Sequence, residues 1–308
     1  MTSSAAIGLP QQVRCAICKE DNATLLFRPP RACGPIVRCR RCGLVYVNPR
    51  ESNPWLAQRP SPERNVVLDW QGECFQRYLA EAEWKEQNFR ATWQRLVGLG
   101  LVPWRGTVRV LDFGCGPGLF LRLASEQGAE AHGIEPDTSA ARYAQQVLGQ
   151  VVFNGMLHDA EFPDGYFDAV VSFQVFEHLP DPASELGEIA RVLHPAGLLA
   201  IDVPNVDNLA CRVLRGYHRH FATPQHLWFY SPATMRRLLE HAGFEIVAID
   251  FPTRHLSLEH VCRHHAAMYN QRVAHLMVSI LSHLGLLKTS VAINLRDVMC
   301  VYARKPAS

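Results

Sequence analysis

The run Val108-Arg109-Val110-Leu111-Asp112-Phe113-Gly114-Cys115-Gly116-Pro117-Gly118 constrains this 308-residue chain more than any other segment. A short apolar strand runs into a turn with three glycines, and an apolar helical stretch follows. A second apolar run then ends in Glu135, 17 residues after Gly118. Strand, glycine turn, helix and a strand ending in a carboxylate build a nucleotide-type pocket at the carboxyl edge of a parallel sheet. The details select the ligand. A dinucleotide fingerprint needs glycine where Leu119 stands, at the mouth of the helix that receives a pyrophosphate. Here the spacing is G-x-G-x-G, Pro117 stiffens the loop, and Asp112 stands just before it. A carboxylate beside the loop suits a cationic amino group, not a phosphate. Glu135 can accept hydrogen bonds from two ribose hydroxyls.

A ribose plus an ammonium, with no phosphate, describes S-adenosylmethionine. The residues Asp112 to Gly118 and Ile134-Glu135-Pro136 closely resemble the class I S-adenosylmethionine-dependent methyltransferases. The resemblance implies cofactor contacts from Asp112, Gly114, Cys115, Gly116, Gly118 and Glu135. The segment Asn154 to Asp168 resembles that family's adenine-side loop and the start of its fourth strand. It implies that Met156 and Leu157 flank the adenine ring and that a polar neighbour, His158 or Asp159, bonds its amino group. The segment Ser172 to Pro182 resembles the family's post-strand motif. Relatives often carry histidine where Gln174 stands, so a base is missing there, and Gln174 is expected on the cofactor side. Glu177-His178 should sit at the mouth of the pocket.

From Thr107 onward, strand and helix patterns alternate. The periodicity predicts strands near 108–112, 130–135, 150–153, 167–173 and 197–203, and helices near 118–127, 137–148, 181–193 and 231–242. This alternation argues for an α/β fold, a parallel sheet covered by helices on both faces. The resemblance implies a Rossmann-like sheet closed by an antiparallel hairpin of 244–251 with 297–304. Three regions are expected: a cysteine module at 1–50, a linker and helical cap at 51–105, and a methyltransferase domain at 106–308. A helical insertion at about 252–294 is read from Leu256, Leu258, Val261, Cys262, His265, Met268 and Tyr269, then from Met277, Ile280, Leu281, Leu284 and Leu287. Within the cap, Trp70 and Tyr78 are candidates to touch the cofactor.

Cys15-Ala16-Ile17-Cys18 and Cys39-Arg40-Arg41-Cys42 are two C-x2-C knuckles with 20 residues between them. Each lets two thiolates reach one ion from a tight turn, so together Cys15, Cys18, Cys39 and Cys42 form a tetrahedral four-sulfur site for structural zinc. Cys33 is expected as a bystander, and Cys74, Cys115, Cys211, Cys262 and Cys300 are scattered. The pattern Arg38 to Arg50 looks like the N-terminal zinc ribbon of a methyltransferase group associated with sugars, polysaccharides and secondary metabolites. Residues 1–50 carry eight Lys/Arg against Glu20 and Asp21. A net charge of +2 for the whole chain predicts no strong overall field.

Methyl transfer requires alignment, exclusion of water and, for some acceptors, removal of a proton. Candidate bases fall after the fifth strand, in the segment Tyr217 to Ser231, where loops commonly form the acceptor pocket. Histidine titrates near neutrality. The segment Gln225 to Pro232 is similar to the family segment preceding its last large helix, where histidine recurs, and that resemblance ranks His226 first, then His220 and His178. A small-molecule acceptor such as a nucleotide sugar, glycan precursor or specialised metabolite is the leading expectation. RNA gripped by the basic cysteine module, and a non-catalytic cofactor-binding scaffold, are the alternatives. The insertion offers a roof for the acceptor or a homodimer surface. No secretory signal and no transmembrane run is visible, so a cytoplasmic protein is expected.

Overall fold

The computed structural model describes residues 10–29, 34–50, 78–103, 106–262 and 271–307. Cys33, Trp70, Cys74, the linker from 51, and His264, His265, Met268 and Tyr269 lie outside the described residues.

The central sheet holds seven strands. They are β4 (Arg109–Phe113), β5 (Glu130–Ile134), β6 (Val151–Phe153), β7 (Phe167–Phe173), β8 (Leu193–Pro204), β10 (Glu245–Asp250) and β13 (Val298–Arg304). Their order is β10-β13-β8-β7-β4-β5-β6. The strands from β6 to β8 are parallel, and β13 inserts antiparallel between β8 and β10. This is the expected Rossmann-like sheet with its antiparallel close. The chain begins at β4, steps outward to β5 and β6, then returns to lay β7 on the other side of β4. That reversal opens a crevice at the carboxyl ends of β4 and β7, where ligands bind in such sheets.

Alternate residues of each strand face opposite layers. Leu111, Val170, Leu199 and Met299 pack with Leu186, Ile189, Met235 and Leu238 from the helices Pro182–Val192 and Pro232–His241. Val110, Ala169, Leu198 and Tyr302 pack with Trp93, Leu96, Phe120 and Leu123 from the helices Ala82–Gly98 and Leu119–Glu126. Burial on both faces explains why the central strands are almost wholly apolar. Helix starts are marked as side-chain chemistry requires: Asp137 accepts from the Ser139 and Ala140 amides, and Ser231 and Thr234 cap each other reciprocally.

The cysteine module is not a separate bead. Strands β1 (Ala23–Phe27), β2 (Ile36–Cys39) and β3 (Val45–Val47) form an antiparallel sheet that continues into β9 (Trp228–Phe229) of the larger unit. Trp228 is 2% exposed, its indole N–H donates to the Leu179 carbonyl at 2.7 Å, and the Arg50 guanidinium lies 4.5 Å above its ring. Arg237 donates to the Cys42 carbonyl. The buried residues of the module and of one face of the main sheet form one continuous core.

The insertion departs from the all-helical expectation. Leu256 lies on β11 (Arg254–Ser257), which pairs antiparallel with β12 (Ser290–Ile293). Leu258 opens a single helical turn, and a helix spans Gln271–His283. The two-residue step from Leu256 to Leu258 fits a strand as well as a helix, and pairing with β12 decides between them. No helix among the described residues is long and apolar enough to cross a membrane.

Because Trp228 joins the two sheets, Trp228→Ala should cost about 3–5 kcal/mol. Urea unfolding checks this, and a loss under about 1 kcal/mol would mean that the module is energetically independent.

Candidate active site

The glycine turn is shaped by positions that no other residue fits. Gly114 has φ +80°, and a Cβ there would stand 2.4 Å from Val175 Cγ2. Gly118, at φ +82°, caps the helix Leu119–Glu126, and a Cβ there would meet Ala144 Cβ at 2.9 Å. Gly116 also takes a positive φ, of 52°. The turn is stitched to the end of β5: the amides of Gly114 and Cys115 donate to the Ile134 carbonyl at 2.9 and 3.0 Å. Glu135 receives the Gly116 amide on one oxygen and the Asp137 amide on the other, each at 2.8 Å. Each oxygen keeps a second lone pair for a ligand.

Asp112 is 2% exposed, and its Oδ1 is buried with no hydrogen-bond partner. Burial, with the nearby Glu135 charge, holds its carboxyl well above the usual carboxylate range. Burial also pushes Glu135 up to about 7, against the pull of the Asp137 and Gly116 amides. Tyr78 is half-buried near them: desolvation and the charges of Asp112, Cys115 and Glu135 all raise its hydroxyl. Two costly carboxyls, one with an orphaned oxygen, are what a cationic ligand with a ribose would relieve. This donor set therefore fits S-adenosylmethionine. Cys115 turns its buried sulfur away, toward Gly133, so it offers the pocket its main chain.

At the adenine-side edge, Met156 is half-buried and precedes the turn Leu157–Ala160. Leu157 is fully buried in the core, so it supports this edge from beneath. His158 and Asp159 are exposed and pair with each other at 3.2 Å. Asn154, absent from the sequence-based set, donates to the Glu135 carbonyl at 2.8 Å and so fixes the end of β5. Gln174 sits at φ +58° after β7. Its side-chain amide donates to Asp202 at 2.6 Å, and Arg254 from the insertion donates to both oxygens of the same carboxylate at 2.7 and 2.9 Å. Gln174 is thus committed to a clasp between β7, β8 and the insertion.

Beyond Gln174, three expected residues come together. His178 and His226 hold their ring centroids 4.9 Å apart, and the His220 ring lies 6.2 Å from His226. His178 Nδ1 donates to the Gln225 carbonyl at 3.0 Å, and His226 Nδ1 to the His220 carbonyl at 2.9 Å. A carbonyl only accepts, so in the neutral rings each Nε2 carries the lone pair. Burial lowers His178 to about 4 and holds His226 and His220 well below the usual range. His220 is 2% exposed and its Nε2 bonds the Asp297 carbonyl at 3.0 Å, which leaves it a supporting place. Glu177, 1% exposed, completes the group. Burial and the Asp202 charge push its carboxyl up to about 8, against its own backbone amide and Arg254.

In the cysteine module, the four Sγ atoms of Cys15, Cys18, Cys39 and Cys42 lie within 4.8 Å of one another. Cys15 and Cys42 are 3.3 Å apart and Cys18 and Cys39 3.5 Å, far beyond the roughly 2.05 Å of a disulfide. The donors converge from two turns, as the knuckle spacing requires.

Fold and site together define an α/β protein with buried carboxyls beside a glycine turn at the switch point of its sheet. The chain belongs to a methyltransferase-domain family, whose model matches residues 70–249. It is 34% identical over 169 residues to a probable S-adenosylmethionine-dependent methyltransferase of Mycobacterium tuberculosis, covering 53% of this chain and 58% of that protein. It is 37% identical over 120 residues to a trans-aconitate 2-methyltransferase of Azoarcus sp., covering 38% and 47%. A ubiquinone biosynthesis O-methyltransferase of Aeromonas salmonicida matches at 31% over 154 residues, covering 44% and 62%. The chain spans about half the length of the curated relatives it matches. Among solved structures, a SAM-dependent methyltransferase from Archaeoglobus fulgidus shares the fold at TM-score 0.50 and 22% identity, over 74% of this chain and 99% of that one.

Gly114→Ala should weaken S-adenosylmethionine binding at least about tenfold, because Val175 and the turn cannot both keep their places. Calorimetric titration reads it, and unchanged affinity would contradict the steric reading. The raised carboxyls also set a pH dependence. An acid held above its usual range must lose its proton to accept hydrogen bonds from two ribose hydroxyls, so affinity should rise as pH increases through about 7 for Glu135. Titrations at pH 6 and 8 should differ severalfold and release protons to buffer. A flat profile would mean that both carboxyls are already ionised.

Proposed function

We propose that this chain is an S-adenosylmethionine-dependent methyltransferase acting on a small-molecule acceptor: a nucleotide sugar, glycan precursor or specialised metabolite. The observation that carries this reading is the orphaned buried carboxyl of Asp112 beside Glu135 on the glycine turn. S-adenosylmethionine, when bound, supplies a methyl group on a positively charged sulfur. Asp112 and Glu135 meet that ligand's cationic and ribose parts, the main chain of Gly114 to Gly118 surrounds it, and Met156 over Leu157 borders its adenine end. Tyr78 and the helix Ala82–Gly98 exclude water from one side. The acceptor enters over Glu177, His178 and His226, where His226 Nε2 offers a lone pair to the proton that the acceptor must lose.

Two relatives are named for ubiquinone biosynthesis and for trans-aconitate, which supports a small-molecule acceptor. RNA is disfavoured because cations of the cysteine module are engaged within the protein. Arg41 pairs with Glu20, Lys19 lies 3.9 Å from Asp181, and Arg50 is 6% exposed against Trp228. In this reading the four thiolates hold one structural zinc ion. Sulfurs around zinc sit roughly 3.8 Å apart, close to the pair distances here.

Methyl-labelled S-adenosylmethionine, incubated with the protein and an extract separated into RNA, protein, lipid and small-molecule pools, tests the proposal. Label should enter the small-molecule pool, and label confined to RNA would overturn it. His226→Ala should lower turnover about 100-fold or more while cofactor affinity stays within about twofold. Intact turnover would remove His226 from the mechanism. Stripping metal with a strong chelator should lower Tm by several degrees, and zinc should restore it. An unchanged Tm would end the structural-zinc reading.

A further inference from the structure

Glu177 presents a problem that the methyltransferase reading alone does not solve. Both of its carboxyl oxygens are buried, and neither has a hydrogen-bond partner from any other residue. Such an arrangement is costly unless something unobserved satisfies it. The nearest candidates cannot. His178 Nε2 lies 3.9 Å from Glu177 Oε1, too long for a hydrogen bond. The Nδ1 protons of His178 and His226 are already given to the carbonyls of Gln225 and His220. Each Nε2 therefore keeps its lone pair for another partner, and that of His178 lies beside the carboxyl. Three potential metal ligands, from Glu177, His178 and His226, converge within 4.8 Å of one another.

We infer that Glu177, His178 and His226 form a binding site for a divalent transition-metal ion, separate from the four-thiol site and placed on the acceptor side of the cofactor crevice. Two imidazoles and one carboxylate suit zinc, iron or manganese, whereas magnesium and calcium prefer oxygen throughout. Donors sharing one ion at about 2.1 Å stand roughly 3.4 Å apart in a tetrahedron. The outer contacts are those a ligating histidine needs: each ring is oriented through Nδ1 by a backbone carbonyl. The loops that carry the ligands are also tied together, since the Leu227 amide donates to the Glu177 carbonyl at 2.7 Å. His178 keeps 16% of its side chain exposed above the buried Glu177, which gives an ion a path in.

Three protein ligands leave positions open, the mark of a reactive site and not of a purely structural one. An acceptor oxygen bound in an open position would be oriented toward the cofactor crevice, and the ion would ease loss of its proton to water. This role rests on the methyltransferase reading, but the ion site itself does not. With the ion bound, His226 Nε2 serves as a ligand in place of accepting the proton itself, so that its replacement harms turnover through the lost ion.

The test is a metal count on the full chain. The protein is stripped, titrated with Co2+, desalted and measured by mass spectrometry, with absorbance followed throughout. Two ions per chain are expected. One should show intense near-ultraviolet thiolate bands, and the other only weak visible bands. Glu177→Gln and His226→Ala should each reduce the count to one and leave the thiolate bands and S-adenosylhomocysteine binding in place. If Glu177→Gln does not fold, the partly exposed His226→Ala carries the comparison. A wild-type count of one, or a variant that still binds two, would overturn the inference. Methyl transfer by protein holding only the thiolate ion would refute the proposed role while sparing the methyltransferase reading. Two ions without methyl transfer would do the reverse.

Discussion

The return of the chain from β6 to the far side of β4 is the constraint on which everything else depends. Parallel strands need long crossovers, and a sheet wound outward in both directions from β4 must leave a gap between its two halves. The gap falls where β4 ends in Asp112 and β7 leads into Gln174. Residues far apart in sequence thereby share one edge. The glycine turn closes one side of the gap because only glycine tolerates both its positive φ angles and the closeness of Val175 and Ala144.

The electrostatics of that edge explain its chemistry. Asp112 and Glu135 are both raised by burial, Asp112 further by the Glu135 charge and Glu135 by the Asp137 charge, which costs stability. Across the gap, Gln174 and Arg254 both donate to Asp202, so that carboxylate is satisfied and its charge is spent on structure. Glu177 is the opposite case, a buried carboxyl that no other residue satisfies. The contrast between a satisfied cluster and an unsatisfied one separates groups that hold the fold from groups held ready for a ligand.

Much of this was legible in the sequence. The apolar runs of β4, β5, β7 and β8 and the glycine turn are local patterns, and local patterns survive without knowledge of the fold. The two cysteine knuckles are legible for the same reason. Other features were not. The Asp202–Arg254 pair spans 52 residues and joins a core strand to an insertion that its apolar spacing marked as helical but that begins in a strand. The two-residue strand β9 gives no periodicity at all, yet it fuses the cysteine module to the main unit. The histidines were singled out by type, but the lone pairs that their Nε2 atoms keep for another partner depend on carbonyls of Gln225 and His220 that no sequence pattern marks.

The claim at the centre is that buried carboxyls at the glycine turn exist to receive a cationic nucleoside. Calorimetric titration of S-adenosylmethionine into the wild-type protein, into Asp112→Asn and into Glu135→Ala tests it most directly. The account predicts saturable one-to-one binding by the wild type and at least about a tenfold loss in each variant, each loss corresponding to about 1.4 kcal/mol or more. Absence of wild-type binding, or equal affinity in all three proteins, would contradict it.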